Sequence, residues 1–176
     1  MQLGLHALLF DGSPNHEKRM MIYLKPMTPQ TFEEFKQQSQ ASYAGDFAKV
    51  EDISFETALK NASEQFERLV SGGLETQGQL FFDVLETATA KRLGFLWLGI
   101  QDRYGRKIAS INDIMIEPSG RGRGLGKALM KLVEIESKKH GAVRVRLHVF
   151  HHNEVAKNLY TSMGFNPTSI DMRKEI

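Results

Sequence analysis

Apolar and polar positions divide the chain into segments whose period changes part-way along. Ile22-Tyr23-Leu24 reads as a short strand. Thr28-Pro29 predicts a helix start, with a capping hydroxyl and a proline whose missing N–H costs little at the first helical position. That helix carries Phe32 and Phe35, and a polar stretch with Gly45 separates it from a second helix opening at Ser54. There Phe55, Leu59, Ala62, Phe66, Leu69 and Val70 recur at helical spacing until Gly72-Gly73 stops the run. Beyond it the pattern turns to dense apolar runs, Leu80 to Leu85 and Leu93 to Ile100, as in a hairpin with little solvent on either face. Tyr104-Gly105-Arg106 turns the chain into a third run, Ile108 to Ile116, which Pro118 ends. Arg121 to Lys139 predicts a helix with Leu125, Leu129, Leu132 and Val133 on one stripe. A strand over Val143 to Phe150, a short helix over Asn153 to Met163 and a last strand over Ser169 to Met172 complete the reading. The order β-α-α-β-β-β-α-β-α-β predicts a mixed α/β sheet with helices packed on its faces.

Composition narrows the chemistry. With no cysteine among 176 residues, disulfides, thiolate metal sites and a cysteine acyl carrier are excluded, and the chain suits a reducing, cytoplasmic setting. No apolar run reaches the roughly 18 residues that a membrane span needs. Leu3 to Phe10 is apolar but lacks a basic flank and a small-residue cleavage site, so residues 1–19 are expected to be an appendage or leader before a single domain over 20–176. The net charge of +2 hides a split: 7 basic and 13 acidic side chains in residues 1–90, against 16 and 8 in 91–176. The basic half suggests an anionic partner.

The strongest local signal is Ile114-Met115-Ile116-Glu117-Pro118-Ser119-Gly120-Arg121-Gly122-Arg123-Gly124-Leu125-Gly126-Lys127. Glycines let backbone N–H groups approach a ligand, and the helix that starts inside the turn adds unpaired donors and a positive dipole end. Arg121, Arg123 and Lys127 add charge, which makes the segment a phosphate cradle. A Walker A loop fails, since Arg121 stands six before Lys127 and Ala128 follows it. A Rossmann fingerprint fails too, because its third glycine would fall on Leu125 or Lys127. Without interleaved aromatics, the basic turn with Arg144 and Arg146 argues against nucleic acid as the partner. Farther on, Asn153, Ala156 and Tyr160 share one helix face over about 10.5 Å, and Asn153 can cap that helix.

Arg-x-x-Gly-x-Gly over Arg121 to Gly126, and Asn-x-x-Ala-x-x-x-Tyr followed by Met163-Gly164-Phe165, resemble the GNAT superfamily of acyl-CoA-dependent N-acetyltransferases. The resemblance covers about Met21 to Ile176 and implies a largely antiparallel central sheet with helices on both faces. It implies acetyl-CoA as co-substrate, no metal, and a small-molecule or peptide amine as acceptor; a homodimer is compatible with it. By that likeness the backbone of Ile114, Met115 and Ile116 would pair with the pantetheine arm. The amides of Arg121, Gly122, Arg123, Gly124, Leu125, Gly126 and Lys127 would hold the pyrophosphate. Asn153, with Ala156 leaving room beside it, would touch the pantetheine or diphosphate portion, and Tyr160 would be the general acid for the departing thiolate.

The family's base position falls on Asn112, which cannot accept the proton. Strict alternation would send Asp113 to the opposite face from Asn112, and Glu117 lies beside the cofactor turn, so the base stays unassigned. Asn112 therefore keeps open an alternative, a non-catalytic module that senses acyl-CoA. His148, His151 and His152 read as a polar cluster rather than a metal site, and His148 could line the acceptor site. The acidic segment 28–72, with 8 acidic against 4 basic side chains, could attract a cationic amine.

Overall fold

The computed structural model describes residues 21–176, so the appendage expected over residues 1–19 lies outside the described residues. Five strands form one sheet in chain order: β1 (Ile22–Pro26), β2 (Gln79–Glu86), β3 (Arg92–Arg103), β4 (Arg106–Ile116) and β5 (Arg144–Leu147). The first four pair antiparallel and β5 lies parallel to β4. The helices α1 (Pro29–Glu51), α2 (Phe55–Leu69), α3 (Leu125–Lys139) and α4 (Glu154–Ser162) connect them.

Two apolar layers follow from the strand period. On one face Phe32 and Phe35 of α1 and Phe66 of α2 close over Phe81, Phe95 and Trp97. Phe32 meets Phe81 edge-on at 4.9 Å, and Phe35 meets Phe95 at 4.8 Å. On the other face Leu125, Leu129, Met130 and Val133 of α3 cover Val84, Leu96, Leu98 and Ile111. Helices on both faces of a mostly antiparallel sheet are thus as expected. Among the described residues, no helix is long and apolar enough to cross a membrane.

Four elements depart from the reading of the sequence. First, α1 runs unbroken through Gly45 to Glu51, because Ala44 sits fully buried against Ala58 and Ala62 of α2. That small-residue contact lets two helices approach closely and outweighs glycine's cost of about 1 kcal/mol in a helix interior. Second, α3 begins at Leu125 rather than Arg121, since Gly122 and Gly124 take left-handed φ of 74° and 75° that a helix cannot use. Third, β5 stops at Leu147, short of Phe150. Fourth, Ser169 to Met172 forms no strand and joins no sheet: Ile170 and Met172 are exposed, so no apolar burial offsets the cost of ordering the segment.

Candidate active site

The site begins where β5 leaves β4. Their pairing ends at Ile111 opposite Leu147, yet β4 continues to Ile116 with β3 on its other side. The edge of β4 from Asn112 to Ile116 therefore has no strand partner among the described residues, and its backbone on that side is free of a strand ladder. Gly94 on β3 supports this stretch, because a Cβ there would stand 2.0 Å from the Met115 carbonyl oxygen.

At the mouth of this fork the β3–β4 register slips. Trp97 faces Asp113 and Leu98 faces Ile111, so Asn112 is the extra residue of a β-bulge. The bulge breaks the alternation and turns both Asn112 and Asp113 toward α1 and α2. Asn112 donates through Nδ2 to Gln79 Oε1 at 3.1 Å, beside the Trp97 indole that donates to the same oxygen at 2.7 Å. Gly99 leaves room for this pair, since a Cβ would lie 2.9 Å from Asn112 Nδ2. Asp113 accepts a hydrogen bond through Oδ2 from the Ser39 hydroxyl of α1. The expectation that Asp113 points away from Asn112 is therefore corrected.

Burial pushes the Asp113 carboxyl up to about 6, against the Ser39 hydroxyl and the Ile114 backbone amide, which favour the charged form. Tyr160 lies half-buried on α4, with its ring 5.8 Å from Phe165. Burial raises its phenol, and the Asp113 charge, within electrostatic reach, raises it further. A carboxyl poised near neutrality and a phenol held protonated thus lie within electrostatic reach of each other.

At the far end of the same edge lies the glycine turn. A short 3-10 turn over Pro118–Gly120 leads into Gly122 and Gly124, where a Cβ would meet nothing within 4 Å. The N-cap of α3 is Gly124, without a side-chain cap, so its first-turn N–H groups are open to an anion. Arg121 Nε donates to the Ile116 carbonyl at 3.2 Å, tying the turn to the end of β4. Arg123 is drawn off to Glu86 at 2.6 Å, and Lys127 is exposed. Gly126 sets α3 against α4, since a Cβ would stand 3.0 Å from Leu159.

A family model, described as the acetyltransferase (GNAT) family, matches residues 41–165, a span that holds the fork, the glycine turn and α4. The chain belongs to that family. The uncharacterized N-acetyltransferase YdgE of Bacillus subtilis is 29% identical over 157 residues, covering 89% of this chain and 99% of that one. The crystal structure of YycN, an uncharacterized N-acetyltransferase of the same organism, superposes with a TM-score of 0.83 at 26% identity. That match covers 88% of this chain and 98% of YycN. A glucosamine 6-phosphate N-acetyltransferase of Trypanosoma brucei brucei is 35% identical over 92 residues, half of this GNAT chain and 60% of its own.

The residues singled out from the sequence sort into three groups. Ile114 and Ile116 turn their side chains to the α3 face and Met115 to the α1 face, leaving the backbone edge between them. Asn153 caps α4, accepting from the Ala156 amide at 3.1 Å, and half-buried Ala156 and Tyr160 follow on that helix. Among the described residues, no group of histidines and carboxylates is placed to hold a metal ion. His148 meets Phe150 edge-on at 5.2 Å, while His152 stacks on it at 5.6 Å and reaches Asp46 at 3.0 Å. Ser39, Tyr43 and Asp46 escaped the sequence reading. Their signal is the spacing i, i+4, i+7 on α1, which aims one stripe at β4 and the end of β5.

Proposed function

We propose that this GNAT chain transfers an acetyl group from acetyl-CoA directly to a primary amine of a small molecule or peptide. The observation that carries the reading is a buried Asp113 within electrostatic reach of Tyr160, with an anion cradle at the other end of the same unpaired edge. The open N–H groups of Leu125, Gly126 and Lys127 suit a pyrophosphate, and the β4 edge suits the amides of a pantetheine arm. Acetyl-CoA supplies the activated acyl group.

The attacking nitrogen is that of the neutral amine, and Asp113 takes a proton from it as the C–N bond forms. Tyr160 gives its proton to the sulfur as the C–S bond breaks. Each group starts in the required state near pH 7, because Asp113 is ionised above about 6 and the Tyr160 phenol is held neutral. Direct transfer accords with a chain that has no cysteine to carry the acyl group. The acyl-CoA-sensing alternative rests on Asn112; Asp113, turned to the same face, supplies a carboxylate there and favours catalysis over it. A cytoplasmic setting accords with the same absence of cysteine.

The test pairs binding with turnover. Acetyl-CoA at about a hundred times its Kd should stabilise the protein by about 2.7 kcal/mol, read as a rise in Tm. Release of free CoA should then require an added amine. Absence of any Tm shift at millimolar acetyl-CoA would refute the reading.

A further inference from the structure

Beyond Asp113, the C-terminal half of α1 meets the segment after β5 through rings as well as through the His152–Asp46 contact. Tyr43 stands one helical turn after Ser39, about 6 Å along the axis from the residue that holds Asp113. Its ring stacks on Phe47 at 5.7 Å and tilts against Phe150 at 5.8 Å. His148 and His152 flank Phe150 on either side. Phe47 and Phe150 are half-buried and Tyr43 is 37% exposed, so ring surface remains open beside the fork.

The charges around this cluster are paired with one another. Asp46 sits below it, shared by His152 at 3.0 Å and Lys49 at 3.7 Å. Glu51, whose charge raises the Tyr43 phenol after burial does, is paired with Arg173 at 3.5 Å. The basic neighbours Lys49 and Arg173 are thus each held on a carboxylate. A phosphate or carboxylate on the acceptor would meet π-faces and cations already held on carboxylates, whereas a cation meets ring faces that attract it.

We infer that the acceptor is a cationic alkyl- or arylalkylamine without an anionic group, its carbon skeleton seated on Tyr43, Phe47 and Phe150 and its amine directed to Asp113. This rests on the acetyl-transfer reading given above, because the amine must lie beside Asp113 to react. It deepens that reading by excluding phosphorylated amino sugars and amino acids as preferred acceptors. The broader acidic excess of residues 28–72 contributes less than its count suggests: Glu34 and Glu67, like Asp46 and Glu51, already hold cations.

Calorimetric titration of the CoA-saturated protein separates the two claims. The probes are phenethylamine, propylamine, glycine and an amino-sugar phosphate, and turnover with acetyl-CoA is measured on the same panel. Phenethylamine should bind at least tenfold tighter than glycine or the amino-sugar phosphate, and Tyr43→Ala should weaken it by about tenfold. Phe150→Ala should do the same, while acetyl-CoA affinity is unchanged in both variants. Tight binding of phenethylamine without turnover would uphold the amine class and overturn the acetyl-transfer reading. Preference for the phosphorylated or carboxylated probe, or no loss of phenethylamine affinity in both variants, would overturn the inference.

Discussion

The two ends of the unpaired β4 edge are built by different means. At the glycine turn, Arg121 to Lys127 supply backbone curvature, open amides and charge from one contiguous stretch, anchored to Ile116 five residues away. At the fork, Ser39, Asp113 and Tyr160 come from α1, β4 and α4, and the hydrogen bond that orients Asp113 spans 74 positions. Binding a phosphate needs little more than exposed backbone donors, which a local loop can present. Moving a proton needs side chains held to a particular geometry and a shifted pKa, which only tertiary packing provides.

Breaking the fork should have the largest effect. Asp113→Asn or Tyr160→Phe is expected to lower kcat by about 10²–10⁴-fold, the usual range for a lost general base or acid, while the Tm rise with acetyl-CoA persists. Steady-state kinetics with thermal melts on the same samples checks both halves. Breaking the turn should give the reverse pattern. Gly124→Val forces a β-branched residue to φ 75°, costing about 1–2 kcal/mol and misaligning the α3 amides. Acetyl-CoA affinity by calorimetry should fall about tenfold, with kcat at saturating cofactor changed less.

Smaller changes sharpen the contrast. Ser39→Ala removes a hydrogen bond that favours the charged carboxylate, so the acid limb of the kcat–pH curve should move upward, with KM for acetyl-CoA unaltered. The smallest effect is on stability. A folded pKa raised to about 6 from 3.8 means that the native state binds the proton more tightly, so this group's contribution falls as pH rises from about 4 to 6. Asp113→Asn should therefore raise Tm relative to the parent at pH 8 and lose that advantage near pH 4.

What could be read from the chain follows the same division. The hairpin of β2 and β3, the stripe of α3 and the Asn153 cap are set by neighbours in sequence, so period and turn chemistry reveal them. The extension of α1 through Gly45 depends on Ala58 and Ala62 across the helix pair. The Asn112 bulge is a relation between two strands, and alternation within β4 alone predicts the wrong face for Asp113. The strand expected at Ser169 to Met172 had suitable alternation but leaves Ile170 and Met172 exposed, with no burial to hold it to the sheet. The aromatic cluster of Tyr43, Phe47 and Phe150 joins residues about a hundred positions apart, with no local pattern to announce it.

The central claim is that Asp113 is the group that accepts the amine's proton. Its most direct test is kcat at saturating amine and acetyl-CoA between pH 5 and 8. The account predicts a fall below an apparent pKa of about 6, with a one-proton slope, and loss of that limb from the residual activity of Asp113→Asn. A limb that persists unchanged in Asp113→Asn, or parental turnover in that variant, would contradict it.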